Sequence, residues 1–383
     1  LPDPAQLQDM EKAAERLSEA ILSGETIGVF GDYDVDGATS SALLQRFVHS
    51  VGGRVDIYVP DRLREGYGPN LPALLGMKSS GVGVIVTVDC GITAFDPLAG
   101  AAEAGIDVVV VDHHAAEPRL PEAVAVVNPN RLDDDSAMGQ LAAVGVAFLL
   151  VIALNRKLRT LGHYQNRPEP NLMQWLDLVA LGTVCDVVPL VGLNRALVAQ
   201  GLKVMARRDN IGIRALSDVA SVDEAPTTYH AGFILGPRVN AGGRVGEAGL
   251  GARLLTTANE DEAREMALRL DAWNKERREL ETICLEEAVD QVERGGMDDG
   301  LVYASAENWH AGVIGIVASR LKERYNRPAC VVAWEGGVGK GSGRSITGVD
   351  LGSAVIAARQ SDLLVNGGGH PMAAGFSVSE DNE

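Results

Sequence analysis

Short, unbroken runs of Val and Ile recur through the first half of this chain, each followed by a helix-like segment, and they leave little choice of architecture. Residues 26–30, 55–59, 82–88 and 106–111 are such runs, and 124–127 is a shorter fifth. Helical periodicity fills 38–51, 70–80 and 94–104. A strand with one solvated face alternates apolar and polar residues, whereas a strand covered on both faces is apolar throughout. The predicted fold is therefore α/β, a parallel sheet with helices on both faces.

In open sheets of this kind, ligands bind beyond the carboxyl ends of the strands. Acids collect there. Asp32, Asp34 and Asp36 follow the first run, Asp89 the third, and Asp112-His113-His114 the fourth. A lone Asp-x-Asp is more simply a solvated loop, and Asp89 ahead of a helix reads equally well as an N-cap. An EF-hand loop is excluded at 31–37 because no Glu stands at its twelfth position. Asp186 lies inside the apolar stretch 178–189, where an unpaired carboxylate is expensive and needs a metal or an Arg as partner. Several carboxylates with one or two imidazoles are the inventory of a two-metal site, in which one carboxylate bridges cations about 3.5–4 Å apart. Imidazole and carboxylate together suit Mn, Fe or Zn. The chain contains no Walker loop, Gly-x-Ser-x-Gly elbow or dinucleotide-binding glycine fingerprint.

Charge narrows the partners. With 34 Lys and Arg against 52 Asp and Glu, the net charge is −18. Phosphate affinity comes from clustered cations, so a general nucleic-acid coat is excluded and any strand must be held by a local basic lining. Aromatics make up 4% of the residues, which argues against extended base-stacking platforms. The longest uncharged apolar stretch, 141–154, is too short to cross a bilayer and reads as a buried helix. No signal peptide or lipidation motif is present. Cys90, Cys185, Cys284 and Cys330 lie far apart without a Cys-x-x-Cys pair, as expected of a reducing cytoplasm, and Cys90 and Cys185 read as small buried fillers. The chain opens on Leu1, the mark of a processed or trimmed protein.

Residues 138–162 and 171–182 read as helices joined by a turn-rich 165–170. Residues 259–293 have helical period, many charges and no Pro or Gly, a rod of roughly 50 Å at about 1.5 Å per residue. After Gly295-Gly296 a smaller α/β unit begins, with strand 301–304, helix 312–324 and strand 329–333. The predicted organisation is a metal-binding domain with a helical extension over 1–258, a connector helix over 259–295 and a smaller α/β domain over 296–383.

Asp-x-Asp-Gly at 34–37, Val-Asp-Cys-Gly at 88–91, Asp-His-His at 112–114 and Gly-Thr-x-x-Asp-x-x-Pro at 182–189, in this order, resemble the DHH phosphoesterase superfamily. Its members include family II pyrophosphatases, oligonucleotide and cyclic-dinucleotide phosphodiesterases, and the RecJ exonucleases. The resemblance implies a DHH domain joined to a DHH-associated domain, and two divalent cations, Mn2+ or Mg2+. One would take Asp34, Asp36 and Asp89; the other would take Asp36 or Asp89 with His113 and Asp186, one acid bridging. Asp112 would orient a neighbouring imidazole and His114 would face the substrate phosphate. The pyrophosphatases place a His a few residues before their Asp-x-Asp. Phe30 stands there in this chain, which leaves Asp32 as the substitute.

Further stretches are similar to RecJ sequences: Glu65-Gly66-Tyr67-Gly68 after Arg62 and Arg64, the run 236–244, and the run 309–320. Arg238 and Arg244 flank what reads as a Gly/Asn turn containing Asn240, able to bring guanidiniums to phosphates. His310 precedes a helix whose N-terminal N–H groups can receive an anion. Ser342 and Arg344 in 341–345, and Gly368, Gly369 and His370 in 367–370, read as backbone nests with a cation or imidazole. With Arg62 and Tyr67 these form the candidate substrate-binding set. Any one alone is as well explained by a structural turn. The resemblance implies a monomeric 5′→3′ exonuclease that degrades single-stranded DNA to 5′-mononucleotides in DNA repair and recombination, through a cleft too narrow for duplex. It also implies partnership with a single-stranded-DNA-binding protein and a helicase. The chain stops soon after Gly375-Phe376, so the OB-like domain common in these relatives is expected to be absent and affinity for DNA to be reduced. Two other readings stand beside this one: a phosphodiesterase of short oligonucleotides or cyclic dinucleotides, and a replication scaffold without catalysis. The second conflicts with the presence of every acid and both imidazoles. His49, His163 and His230 lack any such context and read as surface or core residues.

Overall fold

The five apolar runs form one all-parallel sheet in the computed structural model: β1 (Thr26–Gly31), β2 (Arg54–Tyr58), β3 (Val82–Val88), β4 (Asp107–Val111) and β5 (Ala125–Val127), in the order β2-β1-β3-β4-β5. Residues 1–295 and 300–382 are described, with the side chains of Arg62 and Leu63 outside the described set. Helices α1 (Met10–Ser23), α2 (Val35–Ser50) and α6 (Ala143–Thr160) cover one face. After the single turn α3 (Arg62–Glu65), α4 (Leu71–Ser79) and α5 (Phe95–Glu103) cover the other, burying Leu74, Met77 and Leu98 against Phe30, Ile85 and Val108.

The chain leaves β1 outward to β2 and returns on the opposite side to β3, and such a reversal opens a crevice at the carboxyl ends of the two strands. Register lines these ends up. Gly31 pairs with Val88, Val88 with Val111, and Val111 with Val127. The N–H of Asp89 donates to Val111 and that of Asp112 to Val127, both at 3.1 Å, extending the ladder by one residue. The acids therefore begin on one row.

Several boundaries differ from expectation. Helix α2 starts at Val35 rather than 38, because the Asp34 side chain accepts the Gly37 N–H at 3.0 Å and caps it. Asp36 thus sits in a helical first turn. Helix α6 starts at Ala143, not 138, and α7 (Leu176–Cys185) follows a 3-10 turn at Leu172–Trp175. Beyond it lie α8 (Gly192–Met205), α9 (Ile211–Val219), a π-helical turn (His230–Leu235), α10 (Gly236–Val245) and α11 (Leu250–Thr256). The Gly/Asn turn expected at 236–244 is the helix α10. Its glycines serve close approach: a Cβ on Gly243 would lie 1.9 Å from the Tyr33 ring, and one on Gly242 would lie 2.8 Å from the Glu247 carbonyl.

Two units divide the chain, Leu1–Ala272 and Trp273–Glu383. The 36-residue α12 (Glu260–Gly295) contributes Ala263, Met266 and Leu270 to the buried set before the boundary. After it, Cys284, Ala288 and Val292 join the core of the second unit. That unit is a five-stranded sheet ordered β6 (Val302–Ala306), β7 (Ala329–Glu335), β8 (Val338–Arg344), β10 (Ala373–Ser379), β9 (Asn366–His370). The β6–β7 pair is parallel and the others are antiparallel. Helices α13 (Ile314–Tyr325) and α14 (Leu351–Gln360) take opposite faces, for Gly315 approaches Ser342 while Leu351 approaches Gly343.

The nests expected at 341–345 and 367–370 are strand backbone in β8 and β9. A nest needs successive N–H groups on one side, and a paired strand alternates them. The glycines there make room for neighbours: a Cβ on Gly341 would lie 2.1 Å from the Phe376 ring, and one on Gly369 would lie 2.4 Å from the Ala373 carbonyl. No helix among the described residues is long and apolar enough to cross a membrane.

Candidate metal centre

Each acid at the crevice is held by backbone before any ligand is considered. Asp32 accepts the Tyr33 N–H at 2.9 Å. Only glycine fits at 37, since a Cβ would lie 2.4 Å from the Asp32 carbonyl. Asp36, 1% exposed, accepts the N–H of Ala143 at 2.6 Å and of Val144 at 2.9 Å, so it also caps α6. Asp89 takes a left-handed backbone, φ 60°, which Asp tolerates better than most residues. Its carbonyl accepts the Tyr67 hydroxyl at 3.2 Å. It is not an N-cap, because α5 begins only at Phe95. Asp186 ends α7, its N–H donating to Gly182 at 2.9 Å. Gly182 lets that helix in: a Cβ there would lie 2.3 Å from Thr39 Oγ1 and 3.0 Å from Asp36 Oδ1.

His113 is the hub. Its Nε2 stands 3.3 Å from Asp89 Oδ1, 3.6 Å from Asp186 Oδ2 and 4.0 Å from Asp36 Oδ2. Among the described residues, ligand-capable atoms lying within 4.8 Å of one another form three sets: Asp32, Asp34 and Asp89; Asp36, His113 and Asp186; Asp89, His113 and His114. This partition differs from the one implied by resemblance. Asp32 joins Asp34 and Asp89 in one set, while Asp36, whose oxygens accept the Ala143 and Val144 N–H groups, joins His113 and Asp186 in another.

Asp89 Oδ1, His113 Nε2 and Asp186 Oδ2 are buried and accept or donate no hydrogen bond. Each such atom costs about 1–3 kcal/mol if left so, and all three converge on one point. Burial, then the charges of Asp186 and Asp34, push the Asp36 carboxyl up to about 7. Burial, then Asp34, pushes Asp186 up to about 7. Asp89 rises well above its ordinary value by burial and the charges of Asp34 and Asp36. Acids repelling one another beside orphaned ligand atoms are what a divalent cation would relieve, so the residues fit one.

Asp112 is fully buried. It accepts N–H bonds from Ile92 at 3.0 Å, His113 at 2.7 Å and His114 at 3.2 Å, and meets His114 Nδ1 at 2.8 Å. Burial would raise its carboxyl, but the His114 bond and charge outweigh it and hold Asp112 below the usual range. Burial likewise opposes the His114 imidazolium, and the Asp112 bond overcomes it, raising His114 to about 9. The imidazole that Asp112 orients is thus His114, a cation at neutral pH. Asn128 and Asn130 were not singled out by sequence, yet Asn128 donates to the His114 carbonyl at 2.9 Å and Asn130 to the His113 carbonyl. Their signal was a polar pair just past the fifth apolar run.

The substrate-binding candidates fall into two places. In the first unit, Tyr67 lies edge-on to His114 at 6.3 Å, and the Arg62 side chain lies outside the described residues. Arg238 is engaged by Asp271 Oδ1 at 2.9 Å and the Ile234 carbonyl at 2.6 Å. Asn240 Oδ1 accepts the Val35 N–H at 3.1 Å. Arg244 lies in the last turn of α10, half-buried. In the second unit, His310 Nδ1 accepts the Gly312 N–H at 3.0 Å, two residues before α13. A Cβ on Gly315 would lie 3.0 Å from Ser342 Oγ and 3.1 Å from Arg344 Nη2. Arg344 Nη1 donates to Ser342 Oγ at 3.1 Å. Arg344 pairs with Ala373, and Ala373 with His370; Ser342 pairs with Gly375, and Gly375 with Gly368. Arg344 and His370 therefore share a face, about 10 Å apart across two strand spacings, with Gly369 beside them.

Residues 26–183 match the DHH family, N-terminal domain, and 298–383 match the DHHA1 domain. The single-stranded-DNA-specific exonuclease RecJ of Escherichia coli is 43% identical over 98% of this chain and 67% of its own length. That of Bacillus subtilis is 38% identical over 99% of this chain and 47% of its own length. Across the curated relatives named RecJ, the chain spans from 47% to 68% of their length. A crystal structure of exonuclease RecJ bound to manganese superposes with a TM-score of 0.85 at 36% identity, covering 100% of this chain and 92% of that one. RecJ of Thermus thermophilus in complex with Mn2+ gives 0.83 at 34% identity, covering 98% and 53%. Carrying both domains, and 40% identical to the Haemophilus influenzae RecJ along 68% of that protein, this chain belongs to the RecJ family of DHH proteins.

Proposed function

We propose that the protein is a metal-dependent exonuclease that degrades single-stranded DNA from its 5′ end to 5′-mononucleotides, in DNA repair and recombination. The observation that carries this reading is the convergence of Asp89, His113 and Asp186 on one point through ligand atoms that find no other partner. Asp32, Asp34 and Asp89 would hold one Mn2+ or Mg2+, and Asp36, His113 and Asp186 the other. Asp89, belonging also to the set with both imidazoles, is the natural bridge. Two such ions, when bound, acidify a water and neutralise charge at the attacked phosphate.

The chain's own groups do the rest. Asp112 keeps His114 charged and aimed, so that it meets a phosphate oxygen through a charge-assisted bond. Tyr67 buttresses the left-handed Asp89. In the second unit, Arg344, Ser342, His310 and His370 would offer phosphate contacts; in the first unit, Arg62 and Arg244 would do so separately. Arg238 and Asn240 act by positioning, being already engaged. A few local cations of this kind reconcile strand binding with a net charge of −18. The functional organisation is a catalytic domain over 1–258, a connector over 259–295 and a substrate-binding domain over 296–383. The protein works as a cytoplasmic monomer, with a single-stranded-DNA-binding protein and a helicase as partners.

The test is Mn2+-dependent cleavage of single-stranded oligonucleotides from a dinucleotide to about a 30-mer. Expected are 5′-mononucleotides from the long substrates, and a loss of at least about a thousandfold in Asp89→Ala. Near-normal cleavage by that variant would overturn the metal assignment, and a rate that falls as length grows would replace the exonuclease with a short-substrate phosphodiesterase.

A further inference from the structure

Asp36, His113 and Asp186 come from separate elements, yet all three are fastened to one short segment of backbone, residues 139–144. Asp36 accepts the N–H groups of Ala143 and Val144. Asn130 ties His113 to the same stretch, its amide donating to the His113 carbonyl and, at 3.1 Å, to that of Gly139. Asn194 does the same for Asp186. Its amide donates to the Gln140 carbonyl at 2.6 Å and to that of Pro189, just beyond the acid, at 3.0 Å. These three ligands are one of the sets that could hold a cation.

The segment is held on every side. Leu141, Ala142, Ala143 and Val144 are fully buried. A Cβ on Gly139 would lie 2.4 Å from Asn130 Oδ1, and one on Gly182 of α7 would lie 2.8 Å from Val144 Cγ1. Asn194, in the first turn of α8, is fully buried, and its Oδ1 has no hydrogen-bond partner. A buried acceptor left so is costly and offsets what the two donated bonds contribute. Stability is therefore not the gain from this amide; a fixed spacing between Gln140 and Pro189 is. No residue of 139–144 is itself a His, Cys, Asp or Glu, so the segment acts on the ligands through backbone alone.

We propose that residues 139–144 are a template that sets the spacing of Asp36, His113 and Asp186, with Asn130 and Asn194 as its positioning residues, and that its rigidity selects a small divalent cation over Ca2+. The inference rests on the metal-dependent reading above. A small cation such as Mg2+ demands near-ideal geometry at about 2.0–2.1 Å, whereas Ca2+ accepts a flexible shell at about 2.3–2.6 Å. Ligands pinned through three elements to one buried segment cannot spread to the longer distances. Freed from it, they can.

The experiment titrates metal-free wild type, Asn194→Leu, Asn130→Ala and Asn155→Ala with Mn2+ and, separately, with Ca2+ by calorimetry. Asn155 is the control, a buried amide further along α6 that donates to Glu169 and accepts the Tyr164 hydroxyl. Asn194→Leu and Asn130→Ala should each weaken Mn2+ binding about tenfold or more and Ca2+ binding far less, so that the preference for Mn2+ shrinks. With Mn2+, kcat should fall while KM for an oligothymidylate holds. Asn155→Ala should lose stability to urea and keep the preference. Should Asn194→Leu fail to fold, the half-buried Asn130 decides through its own variant. Unchanged Mn2+ affinity, an equal loss for both ions, or the same shrinkage in Asn155→Ala overturns the template and leaves the metal reading standing. So does a wild type that binds Ca2+ as tightly as Mn2+. A wild type that binds no Mn2+ removes the metal reading, and the template with it.

Discussion

The side-chain carbonyl of Asn240 accepts the backbone N–H of Val35 at 3.1 Å, joining α10 to the turn that carries Asp32, Asp34 and Asp36. A residue expected to touch substrate is thereby committed to holding the ligands. Asn240→Ala should weaken Mn2+ binding about tenfold and lower kcat, since removing a group that supports metal ligands commonly costs ten- to a hundredfold. KM for the oligonucleotide should stay near the wild-type value. Titration calorimetry with Mn2+ and steady-state kinetics separate the two; a raised KM with unchanged metal affinity would return Asn240 to direct contact.

Asp36 and Asp89 should respond differently to the same change. Asp36 accepts two buried N–H groups at the start of α6, one on each oxygen, whereas an amide accepts only one of them and sets its own NH2 against the other. Asp36→Asn should cost about 1–3 kcal/mol of stability in metal-free protein and abolish activity. Asp89 Oδ1 has no such partner, so Asp89→Asn should abolish activity with metal-free stability unchanged or raised. Urea denaturation in EDTA decides this, and equal losses in both variants would show that the α6 cap is immaterial.

Metal affinity should depend on pH with a definite sign. Asp36 and Asp186 keep protons up to about 7, against 3.8 for an ordinary aspartate, and a cation must displace them. Mn2+ affinity should therefore rise as pH climbs through about 7, with protons released on binding. By the same linkage the metal-free fold loses stability as pH rises from 3.8 toward 7. Chelation should then lower Tm more at about pH 8 than at about pH 5.5. A pH-independent Mn2+ affinity would contradict the shared site.

Asp177 offers a pH effect remote from the metal centre. It is 2% exposed and accepts the Leu178 N–H at 2.8 Å. Burial pushes its carboxyl up to about 6; that amide and the Arg46 charge lower it without offsetting burial. The folded state thus binds more protons than the unfolded between 3.8 and about 6, and stability falls as pH rises through that window. Asp177→Asn keeps the amide acceptor and should stabilise the protein by about 1–3 kcal/mol above pH 6, with no gain near pH 4. A gain of equal size at both pH values would rule out ionisation as its cause.

What the sequence by itself determined was the sheet and the edge at which chemistry gathers. A parallel strand covered on both faces has no position for an acid except its end, so Val88-Asp89 and Val111-Asp112 announce both the strand and the site. The second unit was legible for the same reason, while its glycine runs misled: glycine signals a turn and a close approach alike, and beside Phe376 and Ala373 it is the latter. Only the tertiary structure decided which ligands stand together. Asp36 is drawn to α6 by bonds to residues 107 and 108 positions away, and Asn240 meets Val35 across 205. No local propensity encodes such pairings. They follow from where α6, α7 and α10 come to rest, through Gly182 and Gly243, which let the backbone approach where a Cβ would forbid it.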